Sequence, residues 1–140
     1  MDVEKRLHIQ QTCLDLVWRF HLYLDRLDVP GVMGLLADDA VWDQKRIGLL
    51  KGKAEIEKYV RSKKPSNSMH LISNVVIDVI DEDHAEGSMY FAYFLGEGAP
   101  DTLSPMNGPN SVGFYKDKFV RTKAGWKFAY RDPHTIFRKA

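Results

Sequence analysis

Cysteine is nearly absent: Cys13 is the only one in 140 residues, so no disulfide closes within the chain and no thiolate cluster can hold a metal. An excess of charge of one sign is lacking as well. Twenty Lys and Arg stand against 19 Asp and Glu, and a formal net charge of +1 gives no electrostatic case for nucleic acid or an anionic membrane surface. No apolar run approaches the roughly 20 residues that a membrane helix needs. The opening stretch MDVEKRLHIQQT carries no apolar core of the kind a secretion signal has, so the expected setting is the cytoplasm. The five histidines, His8, His21, His70, His84 and His134, have no close ligand spacing, and no metal is expected. Neither a Gly-rich phosphate loop nor a nucleophile motif is present, and no cofactor is expected.

What remains is an ordinary globular composition, with 44% apolar and 28% charged residues, long enough to bury a real core. Neither a repeat nor a linker divides it, so residues 1–140 are expected to form one domain. Helical spacing runs from about Val3 to Leu27 and stops at Pro30-Gly31. A short second helix is expected over VMGLLAD, a short strand over AVWD, and a third, amphipathic helix over KGKAEIEKYVRSKK. From Asn67 the pattern turns to strands: MHLISNVVIDVI, GSMYFAYFLG, SVGFYKDKFVRT and GWKFAYRD. The loop from Gly96 to Asn110, dense in Gly, Pro and Asn, is long enough for a lid and equally for a plain surface loop. Helices first and strands after imply an α+β fold with the helices on one face of a curled sheet.

The first helix carries acids in an unexpected sector. On a wheel of about 100° per residue, Cys13, Val17, Phe20 and Leu24 form one side of an apolar arc, and Leu14 and Trp18 the other. Asp25 falls between Leu14 and Trp18, and His21 and Asp28 fall between Val17 and Leu14. A carboxylate buried there needs a donor, a cation or a wet cavity. Asp28, ahead of Pro30, fits the N-cap of the next helix, and His21 fits a histidine at the core's edge. Asp25 has no such role. His70, at the head of an apolar strand, is either a histidine at the strand's wet end or a base in search of an acid.

DRLDVPGVMGLLADDAVWD after FHLYL, then KGKAEIEKYV, HLISNVVIDV and GWKFAYRD, resembles the SnoaL-like branch of the nuclear transport factor 2-like superfamily over nearly the whole chain. That resemblance implies a conical, barrel-like fold of three N-terminal helices packed on a strongly curved antiparallel sheet. The superfamily includes scytalone dehydratase, hexachlorocyclohexane dehydrochlorinase, bile-acid dehydratase, polyketide cyclases and ketosteroid isomerase. It also includes small subunits of ring-hydroxylating dioxygenases and proteins without catalysis, so the fold alone does not choose a reaction. Dehydratase-type members use an Asp–His pair in a conical cavity. Asp25 matches that acid, His70 the base, with Asn74 four residues on, and Arg131, five residues after Trp126, matches an arginine of the dehydrochlorinases. One position departs: where those enzymes place a Tyr or Lys, five residues before the acid, this chain has Phe20, which cannot assist a leaving group. Tyr23, Tyr90 and Tyr93 are the candidates to replace it.

The expected chemistry is a cofactor-independent elimination or isomerisation of a small, largely apolar cyclic substrate, with His70 as base, Asp25 as its partner and Arg131 as an aid to developing charge. Trp18, Phe20, Trp42, Asn74, Tyr90 and Tyr93 are the expected substrate contacts, joined in the walls by Met69, Phe91 and Phe94, although plain core packing explains any single aromatic. The alternatives are a ligand-binding or assembly protein and a dioxygenase small subunit. Strand alternation raises a conflict, because Arg131 has opposite parity to Trp126, Phe128 and Tyr130. If Arg131 faces the cavity, those aromatics face outward and call for a partner subunit, so a homo-oligomer, a dimer or trimer through the sheet face, is expected. A β-bulge would also resolve it. His70 shares the problem: Ile72 and Val76 lie on its face with Asn74 and Asp78.

Overall fold

The computed structural model describes residues 1–140. The element order is α1 (Val3–Asp25), α2 (Val29–Met33), β1 (Leu36–Gln44), β2 (Gly48–Lys51), α3 (Lys53–Ser62), β3 (Asn67–Val79), β4 (His84–Gly96), β5 (Ser111–Thr122) and β6 (Gly125–Arg138). The strands form one curled six-stranded sheet in the order β2-β1-β6-β5-β4-β3, and the helices pack on it. It is the expected α+β cone with one amendment: β1 runs parallel to β6, so the sheet is mixed. No helix is long and apolar enough to cross a membrane.

Helix α1 starts where the Asp2 carboxylate accepts a hydrogen bond from the Lys5 amide at 2.8 Å. Its buried residues, Ile9, Cys13, Leu16, Val17, Phe20, His21 and Leu24, recur at three- and four-residue spacing and face the sheet. Asp28 caps α2, its carboxylate accepting from the Gly31 amide at 3.0 Å. That helix ends at Met33 rather than Asp38, because the chain already pairs with β6 from Leu36. The strand expected over AVWD therefore lengthens to nine residues, and the hairpin adds β2, which the sequence pattern does not mark. Strand β6 also continues past Pro133 to Arg138. The proline is tolerated there because the β1 ladder reaches β6 only as far as Arg131.

Two bulges decide which residues look inward. In β3 the register shifts between Ser73 and Val76, and Asn74 takes a left-handed φ of 53°. His70 and Ile72 face inward before the shift, and Val75, Ile77 and Val79 after it. In β6, Tyr130 pairs with Lys118 and Phe128 with Phe119, leaving Ala129 unpaired between them. Trp126, Phe128 and Arg131 all become buried as a result, while Tyr130 turns away. The outward aromatic face that would have called for a partner's cover therefore does not form.

Candidate active site

Asp25, in the last turn of α1, meets His70 near the start of β3. One carboxylate oxygen lies 2.6 Å from His70 Nδ1, and the other accepts the His70 backbone N–H at 2.7 Å. An ionised carboxylate only accepts, so the imidazole proton sits on Nδ1 and Nε2 carries the free lone pair. Both side chains are 13% exposed. Tyr93 pairs with His70 across the β3–β4 ladder and stacks on its ring, with centroids 4.4 Å apart. Burial first, and then the Asp25 charge, push the Tyr93 phenol above its ordinary pKa, so it keeps its proton.

The pair sits at the junction of two cavities, and both are lined by Asp25, Ser66, Ser68 and His70. The larger, about 510 Å³, is the interior of the cone. Its wall includes Trp42, Tyr59, Phe91, Tyr93 and Tyr115, and its outer part includes Lys45, Arg46, Lys63, Lys64 and Arg138. That lining is far less apolar than the aromatic-rich sequence suggested. The smaller, about 470 Å³, opens between α1 and the β3 edge, with Trp18, Leu22, Met69 and Leu71 in its wall. Pro100 and Asp101 of the long loop close one side of it. The loop is tied down there by Asn67, whose Nδ2 donates to the Thr102 carbonyl and to Ser104 Oγ.

The expected contacts separate clearly. Trp42 and Tyr93 line the larger cavity and Trp18 the smaller one. Phe20 is fully buried among Trp42, Phe128 and His21 and lines neither. Asn74 is exposed on the bulge of β3, and Tyr90 is 58% exposed on the face opposite His70, so neither reaches the pair. Tyr23 accepts a hydrogen bond from Arg19 at 3.0 Å and lines neither cavity. Of the three candidate donors, Tyr93 alone adjoins His70.

Arg131 points inward but stops beneath the cavity floor. Its guanidinium makes two hydrogen bonds to Asp117, at 3.0 and 2.9 Å, with both side chains essentially inaccessible. It lies over the faces of Phe20, Tyr115 and Phe128, with its carbon 4.0–4.6 Å from their centroids. Already matched by a carboxylate and screened by these rings, it lines neither cavity, and direct contact with a substrate is closed to it. Its remaining nitrogen, Nη1, donates to His21 Nε2 at 3.0 Å. The bond places the His21 proton on Nδ1, a buried atom with no partner. Burial, then Arg131, then His70 hold the His21 pKa well below its usual value, so this imidazole stays neutral 5.0 Å from the His70 ring.

The sequence reading missed Asp117, Tyr115 and the second-layer role of His21. A signal existed for the first two: Gly113, Tyr115, Asp117 and Phe119 alternate inward along β5, and an acid in that phase requires a buried cation.

The profile of the SnoaL-like domain family matches residues 4–132. No curated protein matches the chain in sequence. Among solved structures, a candidate scytalone dehydratase from Novosphingobium aromaticivorans superposes with a TM-score of 0.83 at 17% identity, over 99% of this chain and 91% of that one. The hexachlorocyclohexane dehydrochlorinase LinA-type3 from Novosphingobium barchaimii gives 0.82 at 17% identity, over 99% and 93%. A protein of unknown function with a cystatin-like fold from Nostoc punctiforme gives 0.74 at 21% identity, over 97% and 94%. At these identities the likeness is one of fold.

Proposed function

The chain belongs to the SnoaL-like domain family, and from that premise we propose that it is a cofactor-independent lyase or isomerase that removes a proton from carbon with His70. The observation that carries this reading is the two-point contact of Asp25 with His70, at 2.6 and 2.7 Å, beside a cavity large enough for a cyclic substrate. His70 Nε2 takes the proton, the C–H electron pair moves toward a neighbouring carbonyl or expels a leaving group, and Asp25 stabilises the imidazolium formed. Tyr93, still protonated, is the hydrogen-bond donor for the oxygen on which negative charge develops. It stands in for the donor that Phe20 cannot supply. Two of the similar structures are named for eliminations, which agrees with the lyase half of the reading.

A homo-oligomer remains part of the proposal. It is supported by Met69, Leu71 and Tyr90, which share one face of β3 and β4 and are each more than half exposed.

The test uses no assumed metabolite. A panel of cyclic ketones bearing a β-hydroxyl group is incubated with the protein in heavy water and followed by NMR. The expected result is exchange or elimination at the carbon next to the carbonyl, lost in His70→Ala while thermal stability changes little. Panel members that bind but come back with their hydrogens unexchanged would leave a ligand-binding protein. Buried Phe20 favours that second reading, since it removes a donor that the family's dehydratases use.

A further inference from the structure

Resting on the acid–base reading of Asp25 and His70, we propose that the substrate is an anion, its carboxylate or other oxyanion held at the cavity mouth while its ring reaches His70. Five Lys or Arg line the larger cavity, and its one acid is Asp25, whose two oxygens are already engaged by His70. The chain as a whole has 20 bases and 19 acids, so the lining does not follow the average composition. It is a local segregation of charge. Lys45 is neutralised by Asp43 and Asp132, each at 2.6 Å. Lys63 lies 5.0 Å from the Tyr59 ring centroid. Lys63, Arg46, Lys64 and Arg138 make no ion pair with the protein at all, and the last three also lie over no ring.

These three come from separate places: the turn between β1 and β2, the segment after α3, and the end of β6. Lysines after a helix can serve only to offset its C-terminal dipole, and that would explain Lys63 and Lys64. It explains neither Arg46 nor Arg138. Arg46 lines the same cavity as Tyr93 from the β1–β2 turn, with its side chain exposed at the rim. A cleft with charges of one sign and low-dielectric walls concentrates its field on whatever enters. Neutral donors, Ser66, Ser68, Ser111 and Asn110, line the same cavity. An oxyanion at the mouth leaves the ring's carbon acid beside the imidazole, and the apolar wall of Trp42, Phe91 and Tyr115 beside the ring.

The experiment measures binding alone, with two fluorescent probes: anilinonaphthalene sulfonate, and phenylnaphthylamine, which has the same rings without the sulfonate. At low salt the sulfonate should bind the wild-type protein roughly twentyfold more tightly, a little over twofold for each of the four unpaired cations, as exposed charge pairs give. In the variant Arg46→Gln, Lys64→Gln, Arg138→Gln the difference should fall to about twofold, the share left to Lys63, with phenylnaphthylamine affinity unchanged. These side chains are on the surface, and the fold does not depend on them. Ser111→Trp, which fills the cavity without altering any charge, should weaken both probes. Equal affinities in the wild type, a difference undiminished in the triple variant, or probe binding untouched by Ser111→Trp would each overturn the proposal. Because no turnover is read, such a result leaves the role of His70 to the exchange experiment.

Discussion

Replacing Asp117 by Asn should be among the most damaging single changes in this protein, although the residue touches no cavity. The carboxylate and the Arg131 guanidinium face each other through two hydrogen bonds with 0% and 1% of their side chains exposed. An amide of the same shape keeps one acceptor, turns a donor toward the guanidinium and removes the countercharge. Stranding a buried charge in this way costs about 3–5 kcal/mol, out of about 5–15 kcal/mol that holds a domain together. The double variant Asp117→Leu, Arg131→Met behaves differently. Removing a whole buried pair in favour of apolar side chains gains about 1–4 kcal/mol in the cases where it helps. Here His21 Nε2 loses its donor, at about 1–3 kcal/mol, so the double variant should lie between about 2 kcal/mol below and about 3 kcal/mol above the wild type. Urea unfolding followed by the fluorescence of the three tryptophans measures all of these, with an unchanged denaturant slope as the check on two-state behaviour. A loss below about 1 kcal/mol for Asp117→Asn, the scale of an exposed pair, or a double variant as unstable as the single, would refute the argument. A stable double variant that had lost turnover a hundredfold or more would instead show that Arg131 positions the site through His21, which it bonds and which lies against His70.

His21 should impose a pH slope on stability. Its folded-state pKa is held below that of the unfolded chain, about 6.5, so on acidification the unfolded state takes up a proton that the folded state refuses. Stability should therefore be full above about pH 6.5 and fall by about 1.4 kcal/mol per pH unit below it. His21→Gln, which can still accept from Arg131, should flatten that fall in urea unfolding at stepped pH. The titratable and charged groups facing His21 are Arg131, Tyr115 and His70, and both proteins retain them, so the difference reports His21. Asp25→Asn should lower carbon–hydrogen exchange by about 10²–10⁴-fold, and an unchanged rate would release Asp25 from its role. Gly113→Ala should cost about 1–3 kcal/mol or more, because a methyl group there runs into the His134 carbonyl, and an unaltered melting temperature would deny that close approach.

The order of helices and strands was legible in the sequence because periodicity and turn residues act locally. The Asp25–His70 contact was legible as well, since an acid in an apolar sector of α1 needs a donor and the family resemblance supplied one. What escaped the sequence depends on register. A strict alternation through β6 sets Arg131 against Trp126 and Phe128, and one through β3 puts Asn74 beside His70. Strand β3 inserts one extra residue at its bulge, and β6 inserts Ala129 and, further on, Ile136; each insertion resets the phase, and nothing about Ala129 or Asn74 as residue types announces it strongly. The end of α2 escaped for a related reason: pairing with β6 outcompetes a weak helical preference over residues 34–38.

The grip of Asp25 on both the ring and the backbone of His70 has a stereochemical consequence. A base that can pivot collects a proton on one side of a substrate and delivers it on the other. Here one carboxylate holds Nδ1 and the amide of the same residue, and Tyr93 lies against the ring, so Nε2 keeps a fixed bearing toward the cavity. On the proposed role of His70, a hydrogen removed and returned by Nε2 would stay on a single face of the substrate. In an isomerisation that hydrogen would migrate suprafacially, and part of it would survive in the product even in heavy water.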